Sequence, residues 1–122
     1  MSDIDVSDIE LEELAARLGS VSIVDVRTQH EYDGSFGQTC DPRQGHIPGA
    51  LHLEVGRLMQ LEPAQIEKEL SVDPGVEIVA YCHSGSRSAV ATQILRSLGY
   101  DARNYVGSWH EWSRHDELPL ET

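Results

Sequence analysis

The chain has 122 residues, 39% of them hydrophobic, and a formal net charge of −12. That length gives one domain with a single core and is too short for two. So acidic a balance excludes the basic footprint that nucleic acids and anionic membranes require, and no apolar run approaches the ~18 residues of a membrane-spanning helix.

Along the chain, Ile4–Val6 is a short strand candidate, and Ser7 with Glu10 three residues later reads as a capping box that starts a helix. Ile9, Leu11, Leu14 and Leu18 give this helix an apolar stripe, and Gly19 ends it. Val21–Val26 reads as a buried strand, followed by a short helix over 27–32 and a polar loop over 33–45 that holds Cys40 and Arg43. Ile47–Ala50 is a turn into a brief strand at Leu51–Leu53. Pro63 suits the first position of a helix that runs to Leu70, and Asp73-Pro74-Gly75 breaks it. Val76–Ala80 is the strongest strand signal in the chain. A helix follows from about Ser86 to Leu98, with Val90, Ile94, Leu95 and Leu98 inward and Gly99 just past its end. Arg103–Val106 is the last strand, Gly107-Ser108-Trp109 opens a final turn or short helix, and the tail from His115 is polar. The core therefore spans about 4–112 of one domain covering 1–122.

Strands alternating with helices imply an α/β fold, with a mostly parallel sheet covered by helices on both faces. Loops that follow the strands of such a sheet meet at one edge, which is where ligands bind. Here those loops follow Asp25, Tyr81 and Val106.

The loop after Tyr81 carries the chemistry. Cys82-His83-Ser84-Gly85-Ser86-Arg87 joins a β-branched strand directly to a helix. A thiol there lies inside a ring of backbone N–H groups and at the positive end of a helix dipole, both of which favour the thiolate. The small polar residues around Cys82 argue against simple apolar burial, and Gly85 lets the backbone curl with its N–H groups inward. Only Cys40 and Cys82 occur, without the paired spacing of a zinc site. Cys40 reads as a free loop thiol, with a regulatory disulfide to Cys82 as the alternative.

Four elements together identify a family. Val24-Asp25-Val26-Arg27, then Glu31-Tyr32, then Gly45-His46-Ile47-Pro48-Gly49-Ala50, then Tyr81 to Ser88, resemble the rhodanese-like sulfurtransferases from about Ile4 to Trp112. The resemblance implies a central parallel five-stranded sheet and a Cys82 that carries sulfane sulfur as a persulfide. Four residues separate Cys82 from Arg87. Phosphatases of the same fold place five there, so the shorter loop implies sulfur transfer rather than dephosphorylation.

The same resemblance implies the roles of the site residues. Cys82 is the nucleophile, with His83, Ser84, Gly85, Ser86 and Arg87 as its binding loop. Arg87 either binds the donor's anionic end or ties the loop to the domain. Asp25 and Arg27 brace the site, the arginine pairing with an acid such as Glu31, which stands where two-domain relatives have a substrate-contacting arginine. Arg43 either replaces that basic contact or is a solvated loop residue, and Trp109 supports the site, more by packing than by stacking on substrate. His46 braces its own loop. His52, His110 and His115 show no metal spacing with each other or with a carboxylate, so neither a metal nor another cofactor is expected beyond the covalent persulfide.

The expected activity is transfer from a small anionic donor, thiosulfate or 3-mercaptopyruvate, to cyanide or a thiol acceptor, either a small thiol or a thioredoxin-like protein. The rival reading is a protein-fed sulfur-relay or regulatory module. The N-terminus lacks the basic and apolar stretches of a signal peptide, which makes a cytoplasmic location the expectation.

Overall fold

Asp25 and Tyr81 face each other across neighbouring parallel strands. The protein is described by a computed structural model over residues 8–73 and 75–122. In chain order the elements are β1 (Asp8–Ile9), α1 (Leu11–Ala16), β2 (Ser22–Asp25), α2 (Gln29–Asp33), β3 (Leu51–His52), α3 (Val55–Leu58), α4 (Pro63–Leu70), β4 (Glu77–Tyr81), α5 (Ser86–Ser97), β5 (Asp101–Tyr105) and α6 (Ser108–Trp112). The five strands form one sheet in the order β1-β5-β4-β2-β3, and every pairing is parallel. Among the described residues no helix is long and apolar enough to cross a membrane.

A parallel sheet buried on both faces demands near-continuous apolar strands, and β4 (Glu-Ile-Val-Ala-Tyr) meets that demand. Its side chains alternate between two cores. Ile78 and Ala80 join Val24, Leu58, Ile66, Leu70, Ala91 and Leu95 on the face covered by α3, α4 and α5. Val79 and Tyr81 join Ile9, Leu14, Ile23, Tyr105, Trp109 and Trp112 on the face covered by α1 and α6.

Three expectations need correction, and one element goes unread. The capping box at Ser7 does not open the first helix. Asp8–Ile9 is instead an edge strand paired with Asn104–Tyr105, and α1 begins only after Glu10, because pairing with β5 and burial of Ile9 outweigh a local cap. Ser7 itself, the Ile4–Val6 strand candidate and Pro74 lie outside the described residues. A true capping box occurs at Thr28, whose Oγ1 accepts from Glu31 N while Glu31 Oε1 accepts from Thr28 N.

The inward face of α5 is also different. Val90 and Leu98 are 42% and 38% exposed, and the buried positions are Ser88, Ala91, Thr92 and Leu95. Small residues on that face let the helix approach β4 and β5 closely, and Thr92 meets its polar requirement by donating to Ser88 O at 2.8 Å. The short helix α3 goes unread in the sequence, since four residues carry too little periodicity to register.

The tail from His115 is not merely polar. Leu118 and Leu120 pack on the second core, and Glu121 and His46 exchange two backbone hydrogen bonds of 2.8 and 2.9 Å.

Leu95→Ala should therefore destabilise the fold by about 2–5 kcal/mol, whereas Val90→Ala should change it by no more than about 0.5 kcal/mol. Urea unfolding of the two variants checks this. Equal losses would restore the inward placement of Val90.

Candidate functional site

The site begins with a polar pair that the fold buries completely. Asp25 ends β2, Arg27 lies two residues on, and their side chains are 0% and 1% exposed. Arg27 Nη2 donates to Asp25 Oδ2 at 2.7 Å and to Gly45 O at 2.6 Å, while its Nε reaches Asp25 Oδ1 at 3.0 Å. Tyr81 completes the arrangement, donating from its hydroxyl to Asp25 Oδ2 at 2.7 Å and accepting from Ile47 N at 3.0 Å. Burial works against the Arg27 charge, but the hydrogen bonds and charge of Asp25 outweigh it and hold the guanidinium protonated. The Arg27 guanidinium lies 5.1 Å from the ring centroid of Trp109, which is itself fully buried.

This network locks the end of β2 to the end of β4 and to the 45–47 loop. The acid paired with Arg27 is therefore Asp25 and not Glu31. Glu31 instead takes Arg87, through bonds of 3.1 and 3.3 Å.

Cys82 follows β4 directly and is 0% exposed. Its Sγ accepts from Gly85 N at 3.1 Å and from Ser88 N at 3.4 Å, and it lies 3.4 Å from Ser88 Oγ. Burial alone would raise the Cys82 pKa. The Ser88 hydroxyl and the backbone N–H groups of Ser88, Gly85 and Ser84 outweigh that effect, so the thiol titrates below its ordinary value.

The loop can curl this tightly only with glycine at 85. Its φ is +97°, and a Cβ there would meet Val106 O at 2.6 Å. The loop carbonyls are turned away from the sulfur and held from behind: Trp109 N donates to Cys82 O, His110 N to His83 O, both at 2.9 Å, and Asn104 Nδ2 to Gly85 O at 3.2 Å. Ser108 adds a further tie, its Oγ accepting from Cys82 N at 3.0 Å and donating to Tyr105 O at 2.8 Å.

The other expected residues divide clearly. Ser84 and Ser86 are exposed on the loop, and His83 turns its ring to Asp41, with Nε2 3.0 Å from Oδ2. Arg87 ties α5 to α2 through Glu31. Burial disfavours its charge, but the Glu31 contact and the nearby Cys82 charge keep its pKa raised. Arg43 is committed to backbone carbonyls. Its guanidinium donates to the carbonyls of Ser113, Leu118, Trp112 and His115 at 2.7 to 3.1 Å and so clamps the C-terminal segment. Trp109 is packed, its Nε1 donating to Arg43 O at 3.0 Å. His46 does brace its loop, stacked on Tyr32 at 3.9 Å and bonded through Nδ1 to Tyr32 O at 2.7 Å. Cys40 and Cys82 are both free thiols.

Ser88 closes the family motif, yet the sequence by itself assigns it no task. Only the helical turn of α5, which brings residue 88 back over the sulfur, reveals one. Ser108 lies in the loop after Val106 that the topology brings to this edge, but Asn104 and Asp41 carry no signal in the sequence, since they reach the site through tertiary contacts that no local spacing announces. His110 shows no metal spacing with a carboxylate along the sequence, but the fold brings one close: Nδ1 lies 3.5 Å from Asp41 Oδ1, because α6 folds back over the 38–44 loop.

Comparison with known proteins agrees with this geometry. Residues 10–115 match the family model of the rhodanese-like domain. The chain is 39% identical over 115 residues to a human thiosulfate:glutathione sulfurtransferase, covering 88% of this chain and 90% of that protein. It is 30% identical over 121 residues to a thiosulfate sulfurtransferase of Pseudomonas aeruginosa, covering 90% of this chain but only 44% of the bacterial protein. The chain thus spans about half the length of the first curated relatives it matches, or less. Among solved structures, EanB captured with a cysteine persulfide superposes with a TM-score of 0.81 at 27% identity, covering 95% of this chain and 32% of EanB.

Ser88→Ala should raise the Cys82 pKa, because it removes a donor to the sulfur and leaves burial in place. Alkylation by iodoacetamide should shift its pH midpoint upward and slow about tenfold at neutral pH, the worth of one hydrogen bond to a charged group. An unchanged midpoint would show that the backbone donors suffice.

Proposed function

The chain belongs to the rhodanese-like domain family, and from that premise we propose that it is a sulfurtransferase whose carrier is a Cys82 persulfide. The observation that carries this reading is the Cys82 sulfur, buried and facing donors from Gly85 and Ser88. Such a cradle favours an anion on sulfur, as thiolate or as persulfide.

The reaction divides into two displacements at sulfur. The Cys82 thiolate attacks the outer sulfur of thiosulfate, a new S–S bond forms, the donor's S–S bond breaks, and sulfite leaves with the electron pair. A thiolate acceptor then attacks the outer persulfide sulfur, and Cys82 departs as the thiolate that begins the next cycle. Covalent catalysis of this kind gives ping-pong kinetics.

Thiosulfate is favoured over 3-mercaptopyruvate because both the human and the bacterial relative are named for it. A small thiol of the glutathione class is favoured as acceptor, since the human relative so named is matched along 90% of its length. A reducing cytoplasm suits two free thiols, and no resident cofactor enters either displacement. With Glu31 neutralising Arg87, and Arg43 clamping the tail, the donor's charge is met chiefly by the loop's own N–H groups.

Intact mass measured after incubation with thiosulfate tests the proposal. Wild type and Cys40→Ser should each gain one sulfur atom and Cys82→Ser none. Sulfur gained from a persulfidated protein but not from thiosulfate would replace the enzyme with a relay module. No gain from any donor, together with turnover of a phosphate ester, would overturn sulfur transfer altogether.

A further inference from the structure

Beside the sulfur cradle lies a second constellation that the displacement chemistry does not use. Cys40 and Asp41 come from the 33–45 loop, His83 from the residue after the nucleophile, and His110 from α6. One ligand atom from each of the four lies within 4.8 Å of all the others. Cys40 Sγ is 3.8 Å from Asp41 Oδ1, His110 Nδ1 is 3.5 Å from the same oxygen, and His83 Nε2 is 3.0 Å from Oδ2. A tetrahedral zinc ion, with bonds of about 2.0–2.3 Å, sets its ligand atoms about 3.3–3.8 Å apart, so small side-chain shifts close this set around one ion.

The carboxylate points to a ligand independently of the clustering. The Asp41 side chain is 1% exposed, yet its Oδ2 accepts no hydrogen bond. The His83 ring nitrogen near it bonds Oδ1 instead, at 3.2 Å, and meets Oδ2 without hydrogen-bond geometry. A buried carboxylate oxygen without a partner is costly, and a cation is one way to satisfy it.

Asp41 Oδ1, by contrast, is already engaged. Arg114 Nη1 donates to it at 3.0 Å, and the same side chain also holds Cys40 O and His110 O, both at 2.6 Å. A metal-ligating carboxylate commonly receives such support from a neighbouring donor.

We propose that Cys40, Asp41, His83 and His110 form a binding site for a divalent transition metal of the zinc class at the rim of the catalytic loop. One thiolate and one carboxylate balance the ion's two charges, and the two imidazoles ligate as neutral groups. The mixed sulfur, nitrogen and oxygen set suits zinc and disfavours magnesium or calcium, which take oxygen ligands. Binding releases the Cys40 thiol proton to solvent and involves no redox step. It joins the 33–45 loop, the catalytic loop and α6 at one point.

The test is made in Cys82→Ser, so that Cys40 is the only thiol and sulfur-transfer activity plays no part in the readout. Titration with Co²⁺ should give a 1:1 complex showing a thiolate-to-metal charge-transfer band and the intense visible bands of a tetrahedral centre. Zn²⁺ should displace it, with a dissociation constant in the micromolar range or tighter by competition with a chromophoric chelator. Adding Cys40→Ser should abolish the charge-transfer band, and adding His110→Ala or Asp41→Asn should weaken Zn²⁺ binding by at least about tenfold. Cys40 and His110 are exposed, so their variants should fold, and circular dichroism melting in chelator verifies it. Absence of the tetrahedral cobalt spectrum, or Zn²⁺ affinity indifferent to Cys40 and His110, overturns the site.

Discussion

A buried thiol that titrates below its ordinary value sits inside a protein that is itself strongly negative, and that constraint organises the rest of the structure. The chain carries −12 formally, and Cys82 is fully buried. Desolvation and long-range repulsion therefore both oppose the thiolate. The opposition is met at close range, by donors that carry no net charge of their own. The N–H groups of Gly85 and Ser88 and the Ser88 hydroxyl converge on the sulfur at the start of the 12-residue helix α5. Fixed dipoles of this kind need no reorganisation when charge moves on or off the sulfur. A lysine in the same place would supply more charge but would also tie up the thiolate as an ion pair.

Such a ring holds its shape only if the backbone cannot relax, and the scaffold fixes it from three sides. Beneath it, Asp25, Arg27 and Tyr81 join the ends of β2 and β4 to the 45–47 loop. A fully buried ion pair is poor evidence for stability, because desolvation offsets its attraction, but removing one partner strands the other and costs about 3–5 kcal/mol. The pair thus specifies where the strand ends sit. From behind, the N–H groups of Trp109 and His110 and the Asn104 amide capture the carbonyls of Cys82, His83 and Gly85. From the side, Glu31 holds Arg87, with Glu31 itself fixed by the cap of α2 at Thr28.

Much of this is visible in the amino-acid sequence, and the limits have physical reasons. Val76–Ala80 and Val21–Val26 are legible as buried parallel strands because both of their faces are apolar, and Cys82 to Arg87 is legible as a loop closed by glycine onto a helix. Arg43 and Arg87 illustrate the other case. An arginine offers five donors in one plane and serves a substrate or a set of carbonyls equally well. Nothing local to Arg43 reveals that Trp112, Ser113, His115 and Leu118 turn four carbonyls toward it across some 70 residues of chain. The edge strand at Asp8–Ile9 is hidden for a similar reason, since its pairing with β5 is invisible from a serine three residues ahead of a glutamate. Val90 and Leu98 mislead because helical spacing fixes which residues share a stripe, while closeness to the sheet decides which stripe is buried. The stripe so buried is that of Ser88, Ala91, Thr92 and Leu95.

The C-terminal segment shows how distant parts of the chain bear on the sulfur. The Arg43 clamp and the exchange between His46 and Glu121 draw residues 112–122 against the 41–46 stretch. Within that stretch the Gly45 carbonyl accepts from Arg27, and Ile47 just beyond it donates its N–H to Tyr81. Arg27 and Tyr81 in turn both bind Asp25, at the base of the Cys82 loop. Hydrogen bonds joined through the 43–47 backbone therefore link the tail to the base of the site, with Trp109 packed against Arg27 along the way. The tail thereby reaches the Gly45 carbonyl, which is one of the contacts of the buried Arg27 guanidinium. The side chains that look most like surface decoration, in the 33–45 loop and after His115, belong to the support of a sulfur they never touch.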